Sequence, residues 1–177
     1  MAQLFAGFLA SGSKANAFVV GYGDTYILVD AGLSLRELTT RMTTMDLDPK
    51  DLDALLITHE HTDHTRGADV VSRKLQLPVY ASQGTLNELT SHNRQYHELC
   101  PIIGYRAFSV GEIDILPIPT SHDAAESTGF IFKAGDKKIA LATDLGTYDD
   151  RQLAQFAQAD VVFLESNHDV EWLANGP

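Results

Sequence analysis

The sequence predicts a layered α/β domain: two packed sheets with helices on the outside. Three observations predict it. Short apolar runs alternate with turn signals along the chain. Helical patterns are inserted between those runs rather than gathered at one end. One run, Asp53–Thr58 (DALLIT), carries four consecutive apolar residues, as in a strand buried on both faces. At 177 residues the chain can enclose one sizeable core, and residues 1–177 read as a single domain.

The elements follow in order. Leu4–Ala10, Ala17–Gly21 and Tyr26–Asp30 read as strands, the first an edge or buried one. Ser11-Gly12-Ser13 and Gly21-Tyr22-Gly23-Asp24 turn the chain between them. Leu35–Met45 reads as an amphipathic helix capped by Ser34, with Leu35, Leu38 and Met42 on one stripe. Thr65–Leu75 and Gly84–Ser91 look helical and flank a short strand, Pro78–Ala81. His92 and His97 fall in a polar stretch with Asn93, Arg94, Gln95 and Tyr96, which reads as a solvated loop. Ile113–Ile118, Gly129–Lys133 and Lys138–Thr143 are strands, Asp150–Ala157 is a helix, and Val161–Glu165 is another buried strand.

Composition bounds the function. The chain is 44% hydrophobic and 21% charged, as soluble globular proteins are, and no apolar run nears the ~20 residues that span a bilayer. The opening residues place no basic side chain before a short apolar stretch broken by Gly7, so the expectation is a cytoplasmic protein with no membrane association. The single cysteine, Cys100, rules out an internal disulfide and reads as a small buried side chain. A formal net charge of −11 argues against a broad basic surface for nucleic acid. Two divalent ions would offset about four of those charges at a carboxylate-lined site.

The chemistry sits in Thr58-His59-Glu60-His61-Thr62-Asp63-His64, just after the buried strand and just before a helix. In an extended segment, residues two apart point the same way, so His59, His61 and Asp63 converge on one side. His64, where the helix begins, approaches from a second direction. Neutral imidazoles and carboxylates are ligands for zinc and other first-row divalent ions. A polar loop with capping residues would explain one histidine but not three with an aspartate in six positions. His122 follows the strand Ile113–Ile118 and Asp144 follows Lys138–Thr143, so each places a further donor at a strand end.

These segments resemble the metallo-β-lactamase superfamily. The resemblance implies a four-layer αββα sandwich with metals held by loops at one edge of the two sheets. It implies that His59, His61 and His122 hold a first ion and Asp63 and His64 a second, with Asp144 bridging both. Asp30, in Leu28-Val29-Asp30-Ala31-Gly32, matches an aspartate that supports the ligands from behind. Asp30, Glu60 and Asp123 are the candidates to accept the imidazoles' second N–H. The segment Ser11–Asn16, LVDAGLS, THEHTDH, SHDA at Ser121–Ala124, TDLG and LESNHD at Leu164–Asp169 are similar to the YycJ (WalJ) branch. That branch is associated with phosphodiester cleavage in DNA and lies near ribonuclease Z-type nucleases.

The resemblance therefore implies a dinuclear hydrolase acting on a phosphodiester or nucleic-acid substrate, with zinc favoured and manganese or iron as alternatives. Asp63 orients or deprotonates the attacking water, and His168, held by Glu165, protonates the leaving group; a structural histidine at a strand end is the competing account of His168. The loop Ser11–Asn16 lies near the active site and either contacts a substrate phosphate through backbone N–H groups or is a plain turn. Two other activities fit the same motifs: hydrolysis of a thioester, lactone or β-lactam, and a degenerate domain that binds metal without turnover. One departure stands out. The family places a further histidine in a Gly-His-Leu-type segment after its last strand, and this sequence ends at Asn175-Gly176-Pro177 before one. The expectation is a fold incomplete at its C-terminal side, with an exposed sheet edge open to pairing with a second copy.

Overall fold

The computed structural model describes residues 2–91 and 93–164. The strands are β1 (Phe5–Ala10), β2 (Ala17–Tyr22), β3 (Thr25–Val29), β4 (Leu52–Leu56), β5 (Pro78–Ser82), β6 (Glu98–Ile102), β7 (Phe108–Val110), β8 (Ile113–Pro119), β9 (Thr128–Ala134), β10 (Lys137–Ala142) and β11 (Val161–Leu164). The helices are α1 (Leu35–Thr43), α2 (Thr62–Thr65), α3 (Ala68–Leu75), α4 (Gln83–Ser91) and α5 (Asp150–Phe156). The first sheet runs β1-β2-β3-β4-β5-β6 and the second β11-β10-β9-β8-β7. β3 through β6 are parallel, whereas β7 through β10 are antiparallel and β11 returns parallel to β10.

Side-chain alternation builds four layers. Phe18, Val20, Ile27, Val29 and Leu56 face Ile113, Ile115, Phe130, Phe132 and Ile139 in the space between the sheets. Their chain neighbours Val19, Leu28 and Leu55 point the other way, onto Leu38 and Met42 of α1, Val71 of α3, and Leu86 and Leu89 of α4. On the far side Ile131, Ala140 and Ala142 pack on Phe156 of α5. The strands are therefore apolar on both faces, which is why their sequences read as continuous runs. The layered α/β expectation holds, as an αββα sandwich. Among the described residues no helix is long and apolar enough to cross a membrane.

Three readings need correction, and two strands went unread. The helix expected over 65–75 is broken at Gly67, whose N–H bonds to Ala31 O at 2.8 Å and where a Cβ would strike the Leu33 carbonyl; the chain turns there, giving α2 and α3. Strands β6 and β7 lie in stretches to which the sequence assigned no element; Pro101 sits in β6, an edge strand where a missing N–H is tolerated. β11 is not buried, since Val161, Val162 and Leu164 are exposed on the edge of the second sheet. Cys100 is only partly buried, in β6, and burial pushes its thiol up, away from a reactive thiolate.

Three loops at one edge are stitched backbone to backbone. Asn16 N–H donates to Asp63 O (2.8 Å), Ala31 N–H to His64 O (2.7 Å) and Gly32 N–H to Asn16 O (2.9 Å). Gly32 is pressed so close that a Cβ would collide with the Asp63 carbonyl and the Asn16 nitrogen. Gly32→Ala is expected to destabilise the fold by about 1–3 kcal/mol, as overpacking does, and to weaken divalent-metal binding with it. Urea unfolding and metal titration of the variant check this; unchanged values for both would show that the close approach is not required.

Candidate metal centre

The stitched edge carries every predicted metal-binding residue. β3 leads into Asp30, β4 into His59–His64, β8 into His122 and β10 into Asp144. β8 and β10 each run antiparallel to β9, so both deliver their C-terminal ends to the same side.

Two groups of donors converge there. His59, His61 and His122 form one, and His59, His64 and Asp144 the other; within each, the ligand atoms lie within 4.8 Å of one another. In the first, His59 Nε2 is 3.1 Å and His122 Nε2 is 3.2 Å from His61 Nδ1. Nitrogens bound to one tetrahedral zinc at 2.0–2.1 Å sit about 3.3 Å apart, so the spacing fits.

The partners of the Nδ1 atoms indicate which atoms of His59 and His122 face inward. The Thr58 hydroxyl donates to Asp30, at 2.9 Å from Oδ2. It therefore accepts from His59 Nδ1 at 3.0 Å, and that N–H leaves the Nε2 lone pair aimed into the cluster. His122 Nδ1 lies 3.0 Å from Asp123 Oδ1, which likewise frees Nε2. Three imidazole nitrogens within 4.8 Å of one another, with those of His59 and His122 turned inward by the partners of their other ring nitrogens, are a donor set that fits a divalent metal ion.

The second group is more charged. His64 Nδ1 donates to Asp30 Oδ2 at 2.8 Å, and Nε2 lies 3.1 Å from Asp144 Oδ2 and 3.5 Å from Asp63 Oδ2. Burial pushes His59 down to about 4, helped by the charge of His64, so it is neutral at pH 7. Burial also disfavours charge on His64, but the charges and hydrogen bonds of Asp30 and Asp144 outweigh it and raise the ring to about 10. Asp144 resists its own burial through the hydrogen bond and charge of His64, which hold it at about 2.

The structure departs from the expected arrangement in two places. Asp63 does not share a face with His59 and His61; it sits at the start of α2, beside His64 and 3.2 Å from Asn16 Nδ2. Glu60 receives no imidazole N–H, because its Oε1 accepts from Ala125 N–H at 2.7 Å. Glu165 and His168 lie outside the described residues. His97 is exposed and pinned to Ser72 of α3, apart from the cluster. Sequence reasoning missed Asn16, whose amide is oriented by Gly12 N–H on Oδ1 (3.0 Å) and whose Nδ2 meets His64 Nε2 at 3.0 Å. Its place in a short polar loop was the only signal.

A family model described as a beta-lactamase superfamily domain matches residues 25–174. The chain is 37% identical, over 95% of its length, to the protein named exodeoxyribonuclease WalJ of Streptococcus pneumoniae serotype 2 (strain D39 / NCTC 7466). It spans 64% of that relative's length. Among solved structures, a diphosphatase from the PhnP family superposes with a TM-score of 0.73 at 21% identity, over 92% of this chain and 74% of that one. The Rm3 metallo-beta-lactamase superposes with a TM-score of 0.69 at 16% identity, over 82% and 61%. At such identities the two likenesses speak for the fold.

His64 and a metal ion compete for one lone pair. The folded ring at about 10 lies above the ordinary 6.5, so in metal-free protein the proton stabilises the fold fully below pH 6.5, and that stabilisation is lost as pH rises through about 10. A metal must expel this proton, so binding strengthens over the same window as pH rises. Calorimetric titration with Zn²⁺ near pH 7.5, in buffers of different ionisation enthalpy, is expected to register about one proton released per ion at this group. Buffer-independent heats would remove His64 from the ligand set.

Proposed function

This chain belongs to the beta-lactamase superfamily, and from that membership we propose that it is a metal-dependent phosphodiesterase acting on DNA. The observation that carries the reading is the convergence of three imidazole nitrogens beside a His64–Asp144 pair at the edge of the two sheets. The substrate class follows the exodeoxyribonuclease WalJ relative, of which this chain covers 64%. We place the protein in the cytoplasm on the same reading, since a lone cysteine suits a reducing compartment.

In this proposal His59, His61 and His122 hold one ion, and His64, Asp63 and Asp144 a second, Zn²⁺ being favoured by the nitrogen-rich donors. Bound divalent ions would lower the pKa of water to about 7 and stabilise charge on a phosphoryl oxygen. The protein's own groups do the rest. Asp30 and Thr58 fix the inner N–H groups of His64 and His59, so that the outer nitrogens keep their orientation when substrate arrives. Asp63 Oδ2 is the proposed proton acceptor: its side chain is 27% exposed, within reach of solvent, and Asn16 Nδ2 at 3.2 Å holds it in place. His168, supported by Glu165, is the proposed proton donor to the leaving oxygen, on the strength of its place after β11 in the sequence.

The test is turnover of bis-p-nitrophenyl phosphate and of DNA with free ends by metal-loaded protein, beside a thioester and a β-lactam. Phosphodiester cleavage is expected; cleavage of the carbonyl substrates alone would overturn the substrate class. His61→Ala is expected to weaken metal binding by more than the ~100-fold typical of outer supporting groups and to abolish turnover with it. His168→Ala is expected to keep the metal and slow turnover by ~10²–10⁴, the range for a general acid. Loss of metal from that variant would make His168 a ligand instead.

A further inference from the structure

Glu60 stands between two metal-site imidazoles in the chain, yet its carboxylate reaches across to the other sheet. Its Oε1 accepts the Ala125 N–H at 2.7 Å. Its Oε2 is buried and has no hydrogen-bond partner among the described residues. A carboxylate whose second oxygen is buried without a protein partner is held in place by its other bond, here the one to Ala125.

That bond acts on the loop carrying His122. The base of the loop is closed by Thr120 N–H to Ser127 O (3.0 Å) and tied to the first sheet by Thr128 N–H to Thr58 O (2.9 Å). Its far end is tied to the start of α4, where Gly84 N–H donates to Glu126 Oε2 (2.8 Å) and Ser82 Oγ to Glu126 O (2.6 Å). Gly146 N–H holds Ser121 O at 2.8 Å. Within 122–125 the anchors among the described residues are Asp123 on the His122 ring and Glu60 on Ala125. Asp123 is 88% exposed and cannot fix the ring by itself.

We propose that Glu60 is a positioning residue, a latch that closes the His122 loop of the second sheet onto the His59–His61 segment of the first. It sets the 3.2 Å approach of His122 Nε2 to His61 Nδ1. A metal donor set divided between two sheets needs such a bond, because nothing in either sheet alone fixes the distance between them. The inference rests on the proposed role of His122 as a ligand.

The experiment measures Zn²⁺ affinity by chelator competition, and the visible absorption of the Co²⁺-loaded protein, on the full chain. Glu60→Ala is expected to weaken binding by ~10–100-fold, as loss of an outer supporting group does, and to move the Co²⁺ bands toward those of His122→Ala. Glu60→Gln, which keeps an Oε1 acceptor, is expected to restore both. Combining Glu60→Ala with His122→Ala is expected to bind no worse than His122→Ala alone. If Glu60→Ala does not fold, Glu60→Met, of similar length without an acceptor, takes its place with the same expectation. Wild-type affinity and bands in Glu60→Ala, failure of Glu60→Gln to restore them, or additive losses in the double variant would each overturn the latch while leaving the metal centre intact. Unchanged affinity and bands in His122→Ala would overturn both.

Discussion

The site depends on one buried carboxylate. Asp30 is fully buried and accepts from the Thr58 N–H at 2.9 Å, the Thr58 hydroxyl at 2.9 Å and His64 Nδ1 at 2.8 Å. Its backbone is left-handed, with φ at 59°, a conformation that costs a non-glycine residue on the order of 1 kcal/mol. That twist turns the side chain back under β4 while its N–H still reaches Leu56 O at 2.8 Å. A carboxylate at this depth is tolerated only because its oxygens are so well supplied. In return it fixes the tautomer of His64 directly and that of His59 through Thr58. Remove the charge, and the inner N–H groups lose the acceptor that keeps the outer nitrogens facing the cluster.

The two-sheet architecture then completes what Asp30 begins. β3 and β4 are parallel neighbours, so Asp30 and His59–His64 emerge side by side. β8 and β10 bring His122 and Asp144 to the same edge from the second sheet. The donors are thus split between two layers joined mainly by apolar contact, and a few cross-sheet hydrogen bonds carry the precision. The charge balance fits a site that works at close range. A chain of formal charge −11 repels a polyanion at a distance, but beyond a Debye length of ~8 Å that repulsion is screened at physiological salt. On the proposed function, attraction to phosphate arises at the cluster itself, where cations would neutralise Asp63 and Asp144.

Much of this was legible in the sequence because it obeys local rules. Apolar runs and Gly or Asp turns gave most strands, and Ser34 with Glu37 forms a complete capping box at the start of α1. What was illegible depends on distant partners. Glu60 finds Ala125 sixty-five positions away, and Asn16 finds Asp63 and His64 across two strands, so no spacing pattern announces either. The break at Gly67 exists because the Ala31–Leu33 backbone lies against it, although the sequence continues in helical period. β7 is three residues long, too short for alternation to show.

The placement of Asp63 shows why a motif need not act in the geometry that first suggests itself. Strict extension from His59 to His64 would put His59, His61 and Asp63 on one side, and a single ion would take all three. The chain stays extended only as far as His61, whose ψ is 147°, and becomes helical at Thr62. Thr65 Oγ1 secures that change by donating to Glu60 O and His61 O, both at 3.0 Å, so the turn is closed without a side-chain cap at His61. Extension sends His59 and His61 to one cluster; the helical turn sends Asp63 and His64 toward the other. A six-residue segment can therefore serve two groups of donors only if it changes backbone class in its middle, and the residue that makes the change, His61, is itself one of those donors.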